Sequence, residues 1–150
     1  MKYKILIDTR EKFPYSFFRH NSEIVKLYIS YYTIEGMEDI LCIERKSSVS
    51  EFAGWITQKR CKKQIEKMQE YEFKYLVLEF TLEDVFKYPV GSGIPKKAWS
   101  KLRVKSKFLA SELLRLSSLG IEICYCSDRT NAENRVLNII DNAYKTWKTG

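Results

Sequence analysis

Apolar residues gather in short dense runs separated by charged stretches, the pattern of a chain that alternates strands with helices. Residues 3–8, Tyr-Lys-Ile-Leu-Ile-Asp, are β-branched and apolar enough for a buried strand, and Thr9-Arg10-Glu11-Lys12 turns away from it. A loop anchored by Phe13, Pro14, Tyr15, Phe17 and Phe18 leads to a second strand over residues 24–34. Glu35-Gly36-Met37-Glu38-Asp39 reverses the chain into a third strand over 40–46, so these strands pair as a meander. Val49, Phe52, Ile56, Ile65 and Met68 then recur at helical spacing, predicting one long amphipathic helix capped by Ser47, Ser48 or Ser50 and ending near Tyr71.

The run at 74–80 is almost continuously apolar, as in a strand covered on both faces, and its strand-helix-strand context implies a right-handed crossover. A short helical piece follows Thr81, then Pro89-Val-Gly-Ser-Gly-Ile-Pro95, the one Pro/Gly-rich segment and a candidate mobile loop. A helix over 96–119 is closed by Gly120 as its C-cap, residues 121–126 form the last strand, and 131–147 a final helix. The expectation is an α/β fold with a mixed central sheet, a β-meander followed by α-β-α-β-α, flanked by helices. At 150 residues the chain suits one domain, 1–150, and is short for two.

The net charge of +7 and pI near 9.2 favour a polyanionic partner or an acidic membrane surface over a neutral small molecule. No apolar run approaches the roughly 20 residues that span a bilayer, and Met1-Lys2-Tyr3-Lys4-Ile5 enters a strand without a signal-peptide cleavage site. The expected location is cytoplasmic (the host's, if the protein is viral) or nuclear. Cys42, Cys61, Cys124 and Cys126 lack zinc-site spacing and read as reduced structural thiols. Lys59, Arg60, Lys62 and Lys63 lie on the long helix; Lys96, Lys97, Lys101, Arg103, Lys105 and Lys107 follow the Gly/Pro loop. Both clusters can contact phosphates without reading sequence, although a basic helix face is often merely solvated. Trp99 is a candidate base-stacking residue, although an aromatic at helical spacing more often belongs to the core, and Trp55 and Trp147 read as packing residues. His20 has no identifiable partner, and Gly91-Ser92-Gly93 lacks the lysine and spacing of a phosphate loop.

Two strand ends carry the candidate chemistry: Asp8 closes the first, and Glu44-Arg45-Lys46 the third. Hydrolysing a phosphodiester requires a cation on the phosphoryl oxygens, an activated water and help for the leaving oxygen. Asp8 and Glu44 are candidates to hold Mg²⁺ or Mn²⁺, hard ions that prefer oxygen ligands. Lys46, two residues beyond Glu44, shares its face and is placed to orient water or stabilise the pentavalent state. Arg45 points the other way, towards neighbouring carboxylates. An acid and a lysine at a strand end also occur on ordinary surfaces; the second strand ending in an acid, the helix that follows and the basic charge give this pair its context.

Ile5-Leu-Ile-Asp-Thr-Arg-Glu11 resembles the motif V-D-x-R-E, and Ile43-Glu-Arg-Lys46 with Glu51-Phe-Ala-Gly54 resembles E-R-K-x-x-x-D of the XPF-type endonucleases, in the PD-(D/E)XK restriction-nuclease-like superfamily. Residues 30–39 are similar to G-D-Y-S-I-x-G-L-E-D of compact phage and bacterial members. Leu82-Glu-Asp-Val85, Lys105-Ser-Lys-Phe-Leu109 and Gly120-Ile121 extend the similarity over nearly the whole chain. The resemblance implies a restriction-endonuclease-like core and a metal-dependent endonuclease selective for branched or flapped DNA in repair or recombination. It also implies a homodimer or a heterodimer with a related subunit. Asp8 and Glu44 then match metal-site positions and Lys46 a catalytic one; Arg45 matches the motif's arginine, and Arg10 and Glu11 support the site from the first motif. Two positions depart. Tyr31 stands where the family has the aspartate of G-D-Y, and a phenol stays protonated at neutral pH. Glu51, the remaining catalytic candidate, comes one residue after the motif's aspartate, whose nominal place is Ser50; Glu38 and Asp39 belong to the turn. The alternative is therefore the same fold retained for binding DNA or a partner without cutting. The family's tandem helix-hairpin-helix module has no counterpart among these residues, so targeting is expected from the basic surface, a dimer or another protein.

Overall fold

A computed structural model describes residues 2–149. Its centre is a six-stranded mixed sheet in the order β2-β1-β3-β4-β5-β6. β1 (Ile5–Asp8), β3 (Tyr32–Ile34) and β4 (Leu41–Lys46) form an antiparallel meander, and β5 (Phe73–Leu78) and β6 (Glu122–Tyr125) continue from β4 in parallel. β2 (Ser22–Val25) lies parallel to β1 at the outer edge.

Alternation along the strands divides the core into two layers. Cys42, Leu76 and Leu78 face α1 (Val49–Ile56), α2 (Lys59–Met68), α3 (Leu82–Lys87) and α4 (Ser106–Ser118), burying Phe52, Cys61, Ile65, Met68, Val85, Leu109, Leu113 and Leu116. Ile5, Ile7, Ile43, Val77 and Cys124 face α5 (Arg129–Thr149), packing on Ala132, Val136, Ile139 and Ile140. Tyr15, Phe17 and Tyr32 complete this layer, with Tyr15 and Tyr32 stacked at 5.2 Å between centroids. All four cysteines are buried free thiols, and among the described residues no helix is long and apolar enough to cross a membrane.

Several expected elements are divided. The strand expected over 24–34 is two strands, β2 and β3, on opposite sides of β1. Thr9 N donates to Val25 O at 3.0 Å and Asp8 N to Tyr31 O at 2.9 Å, so residues 26–30 must loop over the end of β1. The long helix breaks at Thr57-Gln58. Thr57 Oγ1 donates back to Ala53 O at 2.9 Å, and Gln58 takes an extended backbone (φ −78°, ψ 142°) before α2 starts. The helix expected over 96–119 is a 3₁₀ segment, Lys96–Lys101, and α4, separated by an extended stretch at Leu102 and Lys105. Gly120 does end α4, at φ +88°. Phe13 and Phe18 do not anchor the first loop: they are 74% and 77% exposed, leaving that work to Tyr15 and Phe17. Trp147 is likewise exposed rather than packed.

Candidate functional site

Asp8, Lys46 and the residue after β5, Glu79, lie at the carboxyl ends of β1, β4 and β5, where open α/β sheets place their ligands. β3 runs the other way, so its entry residue Tyr31 reaches the same edge. A cavity of about 420 Å³ opens there, lined by Arg10, Tyr31, Glu44, Lys46, Trp55 and Arg60 among others.

Asp8 is buried and engaged through both oxygens. Oδ1 accepts from Leu27 N at 2.7 Å; Oδ2 accepts from Arg10 N at 2.8 Å and also from Arg10 Nε. The Arg10 side chain, 42% exposed, reaches on to Ser30 O, donating from Nη2 at 3.4 Å. Burial pulls the Arg10 pKa down, but the hydrogen bond and charge of Asp8 outweigh it and the net shift is upward. Glu44 is also buried; burial pushes its carboxyl up to about 7 against the opposing pull of Lys46 and Arg10. Lys46 Nζ lies 4.0 Å from Glu44 Oε2. It also sits 4.7 Å from the Trp55 ring centroid and 5.5 Å from that of Tyr31. Arg10 Cζ is 5.4 Å from the same Tyr31 ring. Burial, then the Glu44 charge, raises the Tyr31 phenol above its ordinary value, so it stays neutral.

Arg45, the intervening residue of β4, faces the other layer. Its Nε donates to Glu79 Oε2 at 2.6 Å, its Nη1 donates to Phe13 O at 2.7 Å and stands 3.1 Å from Glu11 Oε2, and its Cζ lies 4.3 Å over Tyr15. Tyr15 Oη donates to the same Glu79 oxygen at 2.5 Å. This buried cluster ties residues 11–15 to the sheet and forms the floor behind the cavity.

The structure thus brings Arg10, Tyr31, Glu44 and Lys46 together in the lining of one cavity, which Glu51 and Arg60 also line, with Asp8 bound to Arg10 and sealed from solvent. Arg45 and Glu11 pair with each other at 3.1 Å and also border the cavity, although Arg45 leaves β4 on the opposite face from Glu44 and Lys46. Glu51 is turned towards its own helix start, where Oε2 accepts from Ser47 Oγ at 3.0 Å; Ser50 Oγ is buried without a hydrogen-bond partner. Lys63 is exposed on α2 and does not line the cavity. Lys101 and Arg103 line a second groove beside α1, which shares Gly54 with the first. Lys96, Lys97, Lys105 and Lys107 are exposed beyond both. Half-buried Trp99 donates Nε1 to Ile94 O at 2.9 Å.

Sequence reasoning missed three members of the site. Trp55 reads as core from its helical spacing, yet its indole forms a cavity wall, fixed by donation from Nε1 to Gln64 Oε1 at 2.7 Å. Gln64 itself gave no signal. Glu79 carried the same signature as Asp8, an acid closing an apolar strand, and that pattern identifies it.

The side chains do not fit Mg²⁺ or Mn²⁺ as arranged. Asp8 is committed to Arg10 and Leu27, Glu51 to Ser47 and Glu79 to Arg45; of the other two acids lining the cavity, Glu44 has Lys46 at 4.0 Å and Glu11 stands 3.1 Å from Arg45, its Oε2 making no hydrogen bond. Tyr31 offers a neutral phenol where a second carboxylate is needed. Among the described residues no three acidic, histidine or cysteine side chains are grouped to hold a metal ion.

No protein-family model and no curated protein matches the chain. Solved structures do. XPF from Aeropyrum pernix superimposes with a TM-score of 0.65 at 17% identity, covering 94% of this chain and 65% of that one. The structure described as XPF from Aeropyrum pernix in complex with DNA gives 0.65 at 18% identity, covering 96% and 66%. The chain therefore spans slightly less than two thirds of the structures it matches. With its six-stranded mixed sheet flanked by helices, it has the α/β fold of the XPF nuclease domain.

Proposed function

We propose that this chain is a DNA-binding protein built on the XPF nuclease fold, which grips branched or flapped DNA across the cleft above β1 and β4 without cutting it. The observation that carries the reading is Tyr31, whose ring centroid lies 5.4 Å from Arg10 Cζ and 5.5 Å from Lys46 Nζ where the resemblance calls for an acidic ligand. A cleft with Arg10, Lys46 and Arg60 on its walls, continuing past Gly54 to Lys101 and Arg103, offers phosphate contacts along a track longer than one nucleotide. The match to an XPF structure in complex with DNA supports the same choice of ligand. A homodimer, or pairing with a related subunit that cuts, would supply the second half of a junction-binding surface.

A second reading, a metal-dependent endonuclease, is favoured by one specific observation: Glu44 and Lys46 stand 4.0 Å apart in the cavity, the acid–lysine pair expected of such an enzyme. Glu44 would then be a metal ligand, Asp8 would support it, and Lys46 would position the water. Labelled flap, fork, single-stranded and duplex DNA, incubated with Mg²⁺ or Mn²⁺, separates the two. Binding of flap and fork without cleavage is the expected result. Cleavage that disappears in both Lys46→Ala and Glu44→Ala replaces the first reading with the second.

A further inference from the structure

We infer that Arg10 and Lys46 are resident cations of the cleft: both held beside the Tyr31 ring, they supply the two positive charges that a divalent ion would bring. They make the cleft a metal-independent receptor for a phosphodiester group. The inference rests on the DNA-binding reading above and states how the cleft achieves it.

Charge is the starting point. Two buried acids stand at the cleft, Glu44 in its lining and Asp8 beneath Arg10, and each has one cationic side chain beside it: Arg10 Nε on Asp8 Oδ2, and Lys46 Nζ 4.0 Å from Glu44 Oε2. Whatever negative charge the two acids carry is thus met by positive charges belonging to the protein, which lowers the electrostatic demand for Mg²⁺. An aspartate at position 31 would add a third negative charge and restore that demand. A tyrosine ring instead presents a negative π-face to cations already in place. Both cations lie within about 6 Å of its centroid, the range of that attraction. Lys46 is flanked on another side by Trp55, so aromatic faces, not carboxylates alone, fix its ammonium.

Arg10 also has donors to spare. Its guanidinium carries five N–H groups; Nε is used on Asp8 and Nη2 reaches Ser30 O, leaving Nη1 and part of Nη2 for a ligand. Asp8 beneath it is sealed from solvent while the Arg10 side chain is 42% exposed, so the free edge of the fork belongs to the cleft. A fork of this kind matches two oxygens of one phosphate. Lys12 and, from α2, Arg60 line the same cavity and add further positive charge.

The test pairs metal binding with DNA binding. Free Mn²⁺ is followed by its electron paramagnetic resonance signal, and a labelled flap DNA by fluorescence anisotropy in EDTA and in Mg²⁺ at matched ionic strength. Wild type, Tyr31→Phe, Tyr31→Asp and Arg10→Lys are compared, each checked for a native thermal transition. The wild type and Tyr31→Phe should leave the Mn²⁺ signal unchanged and bind DNA equally well with and without metal. Tyr31→Asp should take up Mn²⁺ and lose DNA affinity in EDTA by roughly tenfold, the loss expected for one charge-assisted phosphate contact, with Mn²⁺ restoring it. Arg10→Lys, which keeps the charge but not the fork, should weaken DNA binding without creating Mn²⁺ uptake. Wild-type protein that sequesters Mn²⁺, or binds the flap only when Mg²⁺ is present, overturns the resident-cation inference and leaves the DNA-binding reading standing. Failure to bind the flap under either condition sinks that reading, and the inference with it.

Discussion

Glu44 and Arg45 are neighbours in sequence and do unrelated work, because strand alternation sends them to opposite faces of β4. That alternation was legible: it placed Glu44 and Lys46 together and sent Arg45 away from them. Arg45's partners were only partly legible. Glu11 and Glu79 each stand 34 residues away along the chain, and only the register that sets β5 against β4 brings Glu79 to the guanidinium. The three side chains are buried, at 5%, 9% and 8% exposure. Removing the cation leaves two carboxylates facing each other in a poorly solvated site, a loss that costs about 3–5 kcal/mol when one partner of a buried pair is deleted. Arg45→Met should therefore lower the urea midpoint by that equivalent, and Arg45→Lys, which keeps the charge but not the fork, by clearly less. A midpoint for Arg45→Met close to wild type would mean that water screens the cluster. Trp55 was illegible for a different reason: helical spacing marks a residue as buried, and this one is buried at 7% exposure while one side of its ring still walls the cavity.

The elements were easier to recognise than to delimit. In the α1-to-α5 portion the strands and the final helix lie where apolar periodicity put them, but the helix expected over 96–119 begins only at Ser106 and the one before it is broken, because periodicity carries through a break when the helices on both sides bury the same face. Phe52 and Ile56 before Thr57, and Cys61, Ile65 and Met68 after it, join one core layer, so the pattern reads as one helix. The break has a consequence for the site, since α2 carries Arg60 and Gln64 to the cavity wall. The strand expected over 24–34 failed similarly: its two halves are both apolar, and only the bonds from Asp8 to Leu27 and Tyr31 show the chain crossing β1 between them. Two glycines test the element boundaries with opposite signs. Gly120 has φ +88°, and a Cβ there would stand 3.4 Å from Lys74 Cε, so Gly120→Ala should cost about 1–2 kcal/mol from the left-handed backbone alone. Gly54, inside α1, would meet nothing within 4 Å, so Gly54→Ala should gain up to about 1 kcal/mol of helix propensity. Urea midpoints that shift in opposite directions confirm the two placements; a loss in both would mean that Gly54 is needed for something other than helix geometry.

At the scale of the whole molecule, the excess of basic residues becomes a question of where they lie. The net charge of +7 alone favoured a polyanion or an acidic membrane surface without saying which face of the protein meets it. The fold sorts the cations: Arg10, Lys12, Arg45, Lys46 and Arg60 line the cavity, Lys101 and Arg103 line the groove joined to it at Gly54, and Lys63 stands apart on α2. If one DNA backbone follows cavity and groove together, each phosphate that meets a cation adds a released counterion, and the plot of log affinity against log salt steepens by about 0.9 per contact. Lys101→Gln with Arg103→Gln should then reduce that slope by about one to two units on every DNA tested, because phosphate contacts carry no sequence information. Lys63→Gln should leave the slope unchanged. The groove lies outside the cavity, so its loss should weaken fork and duplex alike, whereas changes at Arg10 should fall more heavily on whichever DNA places a phosphate at the strand ends. Anisotropy titrations across a salt series, on fork and on duplex, read both quantities from one data set. An unchanged slope in the Lys101/Arg103 double variant would confine the DNA to the cavity and remove the groove from its path.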